Sequence, residues 1–237
     1  MKPIAIFRFY KIEGPGYLGT FLDAHSIPWK LFKIDEGENF PSSPEKFSGL
    51  VLMGGTMSAN DNLPSISGAL VLIRQAIRDN IPVLGHCLGG QLLSKALGGK
   101  ISRGDIKEIG WGKVVVADNT IARNWFGNLY NFESFHWHGE YFTLPDGATR
   151  LLSSKFCENQ AFAIGSHLGM QCHLEMTEKM VSTWYEAGAV EIANSPGPAV
   201  QSLEEVQENL TNRVSALNEV AKNLYLKWLS KVTNCDE

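Results

Sequence analysis

Residues 82–91, PVLGHCLGGQ, constrain this chain more than any other stretch. A run as apolar as residues 82–86 reads as a strand buried on both faces, and the next residues turn at once into a helix that ends near Gly98-Gly99. Such a sharp strand-to-helix turn needs small neighbours, and Gly85 and Gly89 stand two positions before and two after Cys87. The turn lifts the Cys87 side chain clear of the sheet. It also sets the thiol at a helix N-terminus, where free N–H groups and the helix dipole favour a thiolate and can hold an oxyanion.

The surrounding pattern agrees with a parallel sheet wrapped by helices. Strands are expected over residues 4–9, 29–34 and 49–53, the last ending in Gly54-Gly55, with a loop and helix over 14–24 and a helix over 65–79. From Lys100 to Cys172 the pattern changes to strands without long helices, at 113–117, 132–138, 148–153, 161–164 and 169–173. Helices return after Thr177. Residues 202–229 read as one or two amphipathic helices with Val206, Leu210, Val214, Leu217, Val220, Ala221, Leu224 and Trp228 in register.

The 237 residues suffice for one large domain, and 21 basic against 25 acidic residues leave no cationic excess of the kind that marks nucleic-acid or membrane-surface binding. Arg8 and Lys11 interrupt the only apolar run near the start, and no stretch reaches the length of a membrane span, so a cytoplasmic protein is expected. Cys87, Cys157, Cys172 and Cys235 are then reduced thiols. None forms a C-x-x-C pair.

A thiol needs a base. The best candidate is His173 in GMQCHLE; on an extended strand, period two puts His173 and Glu175 on one face, so the carboxylate can orient the imidazole. Cys172 then points the other way, into packing. His136 and His138 share a strand face, as in some metal sites, but no third ligand stands at a recognisable spacing; the alternative is that both line a pocket wall.

The elbow by itself matches two families with a nucleophilic cysteine, the dienelactone hydrolases of the α/β-hydrolase fold and the class I (triad) glutamine amidotransferases. Chain order separates them. Hydrolases place the acid before the histidine, whereas Cys87, His173 and Glu175, the last two one residue apart, resemble the amidotransferase triad. Leu174 replaces the proline usual in that family's H-P-E segment. GLVLMGGTMS at 49–58 is similar to the family's strand ending in G-G-x-x-S, and segments 108–111, 135–140 and 159–162 are similar to free-standing members resembling the glutaminase domain of GMP synthase.

The helical pattern after Thr177 carries little of the resemblance, and with the strands before it the chain is expected to form a domain over residues 1–190 and a helical C-terminal extension over 191–237 packed on it. The resemblance itself, which runs from residue 4 to 175, implies a doubly wound, flavodoxin-like, mostly parallel α/β sheet with helices on both faces. It further implies hydrolysis of the glutamine side-chain amide by Cys87, His173 and Glu175, an oxyanion hole from Gly55 and the N–H of Leu88, and a substrate grip from Gln91, Trp137 and His138. No cofactor and no metal are implied. The ammonia acceptor is expected on a separate synthase subunit, or is absent; in the second case the same triad would serve a γ-glutamyl peptidase. A relative without catalysis, acting as a binding subunit, is the remaining reading, and the intact triad speaks against it.

Overall fold

The computed structural model describes residues 1–233. Its elements run β1 (Ile4–Arg8), α1 (Gly16–Ala24), β2 (Trp29–Lys33), β3 (Gly49–Leu52), α2 (Pro64–Arg78), β4 (Val83–His86), α3 (Leu88–Ala96), β5 (Ile101–Val116), α4 (Thr120–Phe126) and β6 (Asn131–Phe142). They continue with β7 (Thr149–Ser154), β8 (Ala161–Ile164), β9 (His167–Met170), α5 (Glu178–Ala187), α6 (Ala189–Ala193), α7 (Leu203–Gln207) and α8 (Leu210–Thr233).

Short β-branched and aliphatic strands are buried on both faces, and alternate side chains point to opposite sides. Along β1, Ile4 and Ile6 join a core shared with α1 and α8, while Ala5 and Phe7 join one shared with α2 and α3. The result is the doubly wound α/β sheet with helices on both faces that the sequence led us to expect. Its strand order is β2-β1-β3-β4-β9-β8-β7-β5-β6. The β2-β1-β3-β4-β9 half is parallel, and β9-β8-β7-β5-β6 is antiparallel.

Several strand boundaries differ from expectation, and two of them have a visible cause. β5 begins at Ile101, not Lys113, because residues 101–103 already pair with 140–142 of β6 before the register shifts between Arg103 and Glu108. Gly104 and Asp105, turn formers by composition, sit in that irregularity and hide the strand from a pattern reading. β9 ends at Met170, not at His173. Its neighbours run out there: β4 turns into α3 after His86, and Met170 already pairs with Ala161, the first residue of β8.

The stretch expected as one or two helices over 202–229 forms two, α7 and α8. Ser202 caps α7 with a reciprocal Ser202/Glu205 capping box, and Asn209, at φ 53°, breaks the path before α8. Val214, Leu217, Ala221, Leu224, Tyr225 and Trp228 bury one side of α8 in the β1 and α1 core. Trp228 is fully buried, its ring edge 2.9 Å from where a Cβ on Gly49 of β3 would stand. Trp228→Ala should therefore cost about 3–5 kcal/mol, read as a lowered urea midpoint; a loss under about 1 kcal/mol would mean that α8 is not part of the core. No helix of the described residues is long and apolar enough to cross a membrane.

Candidate active site

Open α/β sheets carry their sites beyond the carboxyl ends of the parallel strands, and Cys87 stands there, between β4 and α3. Its backbone, at φ 49° and ψ −108°, lies outside the regions a non-glycine residue ordinarily adopts, as at a nucleophile elbow. The flanking glycines are needed for close approach. A Cβ on Gly85 would meet the Gly90 nitrogen at 2.5 Å, and one on Gly89 would strike the Leu52 backbone. The turn is held by Cys87 N–H donating to Met170 O (2.8 Å) and Gln91 N–H donating to Cys87 O (2.9 Å).

His173 and Glu175 reach the same place on irregular chain, since β9 has already ended. Phe135 of β6 tethers it: His173 N–H donates to Phe135 O at 2.8 Å, forming an isolated bridge. The geometry that period two was expected to supply comes instead from this bridge, with Ser134 Oγ donating to His173 O (3.5 Å) and Tyr17 N–H donating to Glu175 O (2.8 Å). His173 Nδ1 lies 2.7 Å from Glu175 Oε1, both side chains about 1% exposed, and the edge of Trp184 packs on the imidazole at 4.8 Å between centroids. Nε2 carries no hydrogen bond and is the ring nitrogen left to serve a reacting group. Burial pulls the His173 pKa down, but the charge and hydrogen bond of Glu175 and the nearness of Cys87 outweigh it, holding it well above 6.5. Burial likewise opposes ionisation of Glu175, and His86 and His173 overcome it, bringing it to about 2.

These shifts fix the pH window of the pair. Glu175, depressed from 4.5 to about 2, contributes stability above pH 4.5 that is lost as the pH falls towards 2. His173, raised above 6.5, contributes fully below pH 6.5 and loses that as the pH rises through its folded value. Removing one partner of a buried pair by Glu175→Gln should cost about 3–5 kcal/mol where both are charged. Urea unfolding should show that loss at its largest between pH 4.5 and 6.5 and shrinking at lower pH; a loss independent of pH would contradict the ion pair.

A pocket of about 950 Å³ opens in front of Cys87 and His173. Gly55, Leu88, Gln91, Trp137 and His138 all line it. Neither the Gly55 nor the Leu88 N–H donates a hydrogen bond among the described residues, so both are free for a ligand oxygen. Gln91 is engaged: its Nε2 donates to Glu140 O and to Gln171 Oε1, each at 3.2 Å. Trp137 O lies 3.8 Å from Cys87 Sγ. His138 turns its Nε2 towards Glu108, at 3.4 Å.

Glu108, His136 and His138 bring ligand atoms within 4.8 Å of one another, a third group that the sequence spacing did not reveal. The carboxylate already accepts from Ser154 Oγ (2.9 Å) and Gln160 Nε2 (2.8 Å), so hydrogen bonds account for it without an ion. The other thiols are poor nucleophiles. Cys172 is fully buried in the core and burial pushes it up to about 12; Cys157 is raised for the same reason. Cys235 lies outside the described residues.

Three residues in or behind the pocket escaped the sequence reading. Gln171 Nε2 comes within 3.6 Å of Cys87 Sγ, and its place two before His173 in GMQCHLE is a signal that could have found it. His86, fully buried beside Cys87, sets Nδ1 3.1 Å from Glu175 Oε2, though without the alignment of a hydrogen bond. Glu13, on the loop after β1, lines the pocket wall.

Comparison with known proteins points one way. Residues 22–188 match the family described as glutamine amidotransferase class-I. A solved glutamine amidotransferase structure from Methylobacillus flagellatus is 39% identical and superposes with a TM-score of 0.95 over 98% of this chain and 95% of that one. One of the chains of the glutamine-hydrolyzing GMP synthase of Methanococcus vannielii is 34% identical over 59% of this chain and 70% of its own. Gamma-glutamyl peptidase 3 of Arabidopsis thaliana is 28% identical over 73% of this chain and 74% of its own.

Proposed function

The chain belongs to the class I glutamine amidotransferase family, and from that premise we propose that it is a cysteine-nucleophile amidase hydrolysing the side-chain amide of glutamine through a γ-glutamyl thioester on Cys87. The observation that carries this is the meeting, on one pocket, of an elbow thiol with a His173–Glu175 pair whose second ring nitrogen is free.

In the proposed reaction the Cys87 thiolate attacks the γ-carbonyl carbon, and the carbonyl oxygen becomes an oxyanion facing the N–H groups of Gly55 and Leu88. His173, protonated at Nε2 and held in place by Glu175, gives that proton to the departing nitrogen as the C–N bond breaks, which releases ammonia and leaves the thioester. The neutral imidazole then takes a proton from water, whose oxygen attacks the thioester. The C–S bond breaks, glutamate leaves and the thiolate returns. Each oxyanion donor is worth on the order of 10²–10³ in rate.

Gln91, with the backbone at Trp137 and His138, is proposed to hold the far end of the substrate. A separate synthase subunit is the proposed ammonia acceptor, supported by the similarity to one chain of a GMP synthase. The domain division at residue 190 is kept as part of the proposal, with α8 packed on the catalytic core. A reducing compartment, the cytoplasm, is the proposed location, since the nucleophile must remain a thiol.

A second reading, a γ-glutamyl peptidase with the same triad, is favoured by one observation. The 950 Å³ pocket lies at the upper end of the roughly 300–1,000 Å³ of drug-sized ligand sites, more room than one glutamine side chain fills. Incubation with glutamine and with γ-glutamyl dipeptides, following glutamate together with ammonia or the released amino acid, tests both. Faster release from glutamine supports the first, and faster release from the dipeptides the second. Release from neither contradicts the amidase.

A further inference from the structure

Most of the polar side chains around the pocket already have partners. Glu140 accepts from Ser58 Oγ at 2.8 Å, and Glu191 takes both Lys107 Nζ (2.6 Å) and Trp137 Nε1 (3.0 Å). Glu13 differs. Its side chain lines the pocket, is partly buried, and makes no hydrogen bond or ion pair among the described residues. Its backbone is nonetheless pinned: Glu13 N–H donates to Tyr10 O, and Trp184 Nε1, from the ring packed on His173, donates to Ile12 O, each at 2.9 Å.

Gly54 shows where the carboxylate points. A Cβ on Gly54 would collide with Glu13 Oε2 and stand 3.2 Å from His173 Cε1, so carboxylate and imidazole meet over one backbone point, next to the proposed oxyanion donor Gly55. The Nδ1 of His173 is already taken by Glu175, which leaves Glu13 no orienting task there. Burial raises the Glu13 carboxyl to about 7, with His173 opposing the rise and Glu175 and Glu191 adding to it. The nearest positive charge, on His173, is already paired with Glu175, so a carboxylate so placed has no ion pair of its own, and a cationic ligand group would supply one.

Resting on the amidase reading above, we propose that Glu13 receives the α-ammonium of the γ-glutamyl substrate and thereby selects glutamyl over des-amino substrates. The three carbons between a γ-carbonyl and its α-nitrogen span roughly 5 Å, which suits a carboxylate beside the imidazole and not one at the outer rim. Glu13 is on this view a binding residue; no proton of the reaction passes through it.

The test is the alkylation of Cys87 by a chloroketone analogue of glutamine and by its des-amino counterpart, followed by mass spectrometry of the intact chain and of the Cys87 peptide. Wild-type protein should react with the ammonium-bearing reagent about 100-fold faster, Glu13→Gln should lose most of that preference, and the rate with the des-amino reagent should stay within about threefold. Glu13→Asp should keep part of the preference. An unchanged preference in Glu13→Gln, or equal slowing with both reagents, overturns the proposal. So does a wild type that reacts equally with both, a result that needs no variant to fold. If neither reagent labels Cys87 in the wild type, the nucleophile reading itself falls, and this inference with it.

Discussion

Cys87→Ala should lower the turnover of a γ-glutamyl amide by on the order of 10⁶-fold, because the covalent route closes and only binding and the oxyanion donors remain. The protein should still fold. The substitution removes one sulfur atom from a residue 7% exposed, keeps its Cβ, and leaves the Met170 and Gln91 hydrogen bonds of the elbow in place. A change in stability of no more than about 1 kcal/mol is expected, measured by urea unfolding beside the activity assay. Cys172→Ala and Cys157→Ala should retain turnover, since both thiols are buried and held protonated. Loss of activity in either, with Cys87→Ala active, would reassign the nucleophile.

His173→Ala should be as severe, and the comparison with Cys87→Ala carries more than either variant alone. In the proposed reaction the imidazole protonates the leaving nitrogen and then activates water, so without it the thiol is a nucleophile with no outlet. Groups that act as one unit are strongly non-additive. The double variant Cys87→Ala/His173→Ala should therefore be no slower than either single variant, to within about tenfold. Rate losses that multiply would show that the two side chains act independently, which their placement on one pocket does not suggest. The stability cost of His173→Ala must be measured alongside, because the change strands the buried Glu175 charge.

Much of this site could be read from the chain because its parts are local. The elbow occupies seven consecutive residues, Gly85 to Gln91, and its glycines are required by contacts within the turn and with the adjoining strand. The His173–Glu175 pair is also local, two residues apart, although strand periodicity is not what sets its geometry: β9 stops at Met170, and Phe135, 38 positions earlier in the numbering, holds the segment. What could not be read is what only the topology joins. His86 meets Glu175 because β4 and β9 are neighbours in the sheet, a parallel pairing with no sequence signal. Glu13 meets His173 because both loops leave the same end of the sheet. The residues around it, EGPG, announce a turn and nothing about where its side chain goes. Glu108 was similarly hidden, since an irregular stretch of β5 brings it opposite His138.

The central claim is that Cys87 carries the γ-glutamyl group during turnover, and the intermediate itself is the most direct witness. Purified protein mixed with glutamine or a γ-glutamyl dipeptide should be quenched in acid within one turnover and examined by mass spectrometry. The quenched chain should be heavier by one glutamyl group, with the adduct on the peptide containing Cys87 and absent from Cys87→Ala. Turnover with the adduct on Cys157 or Cys172, or turnover that persists in Cys87→Ala, would contradict it.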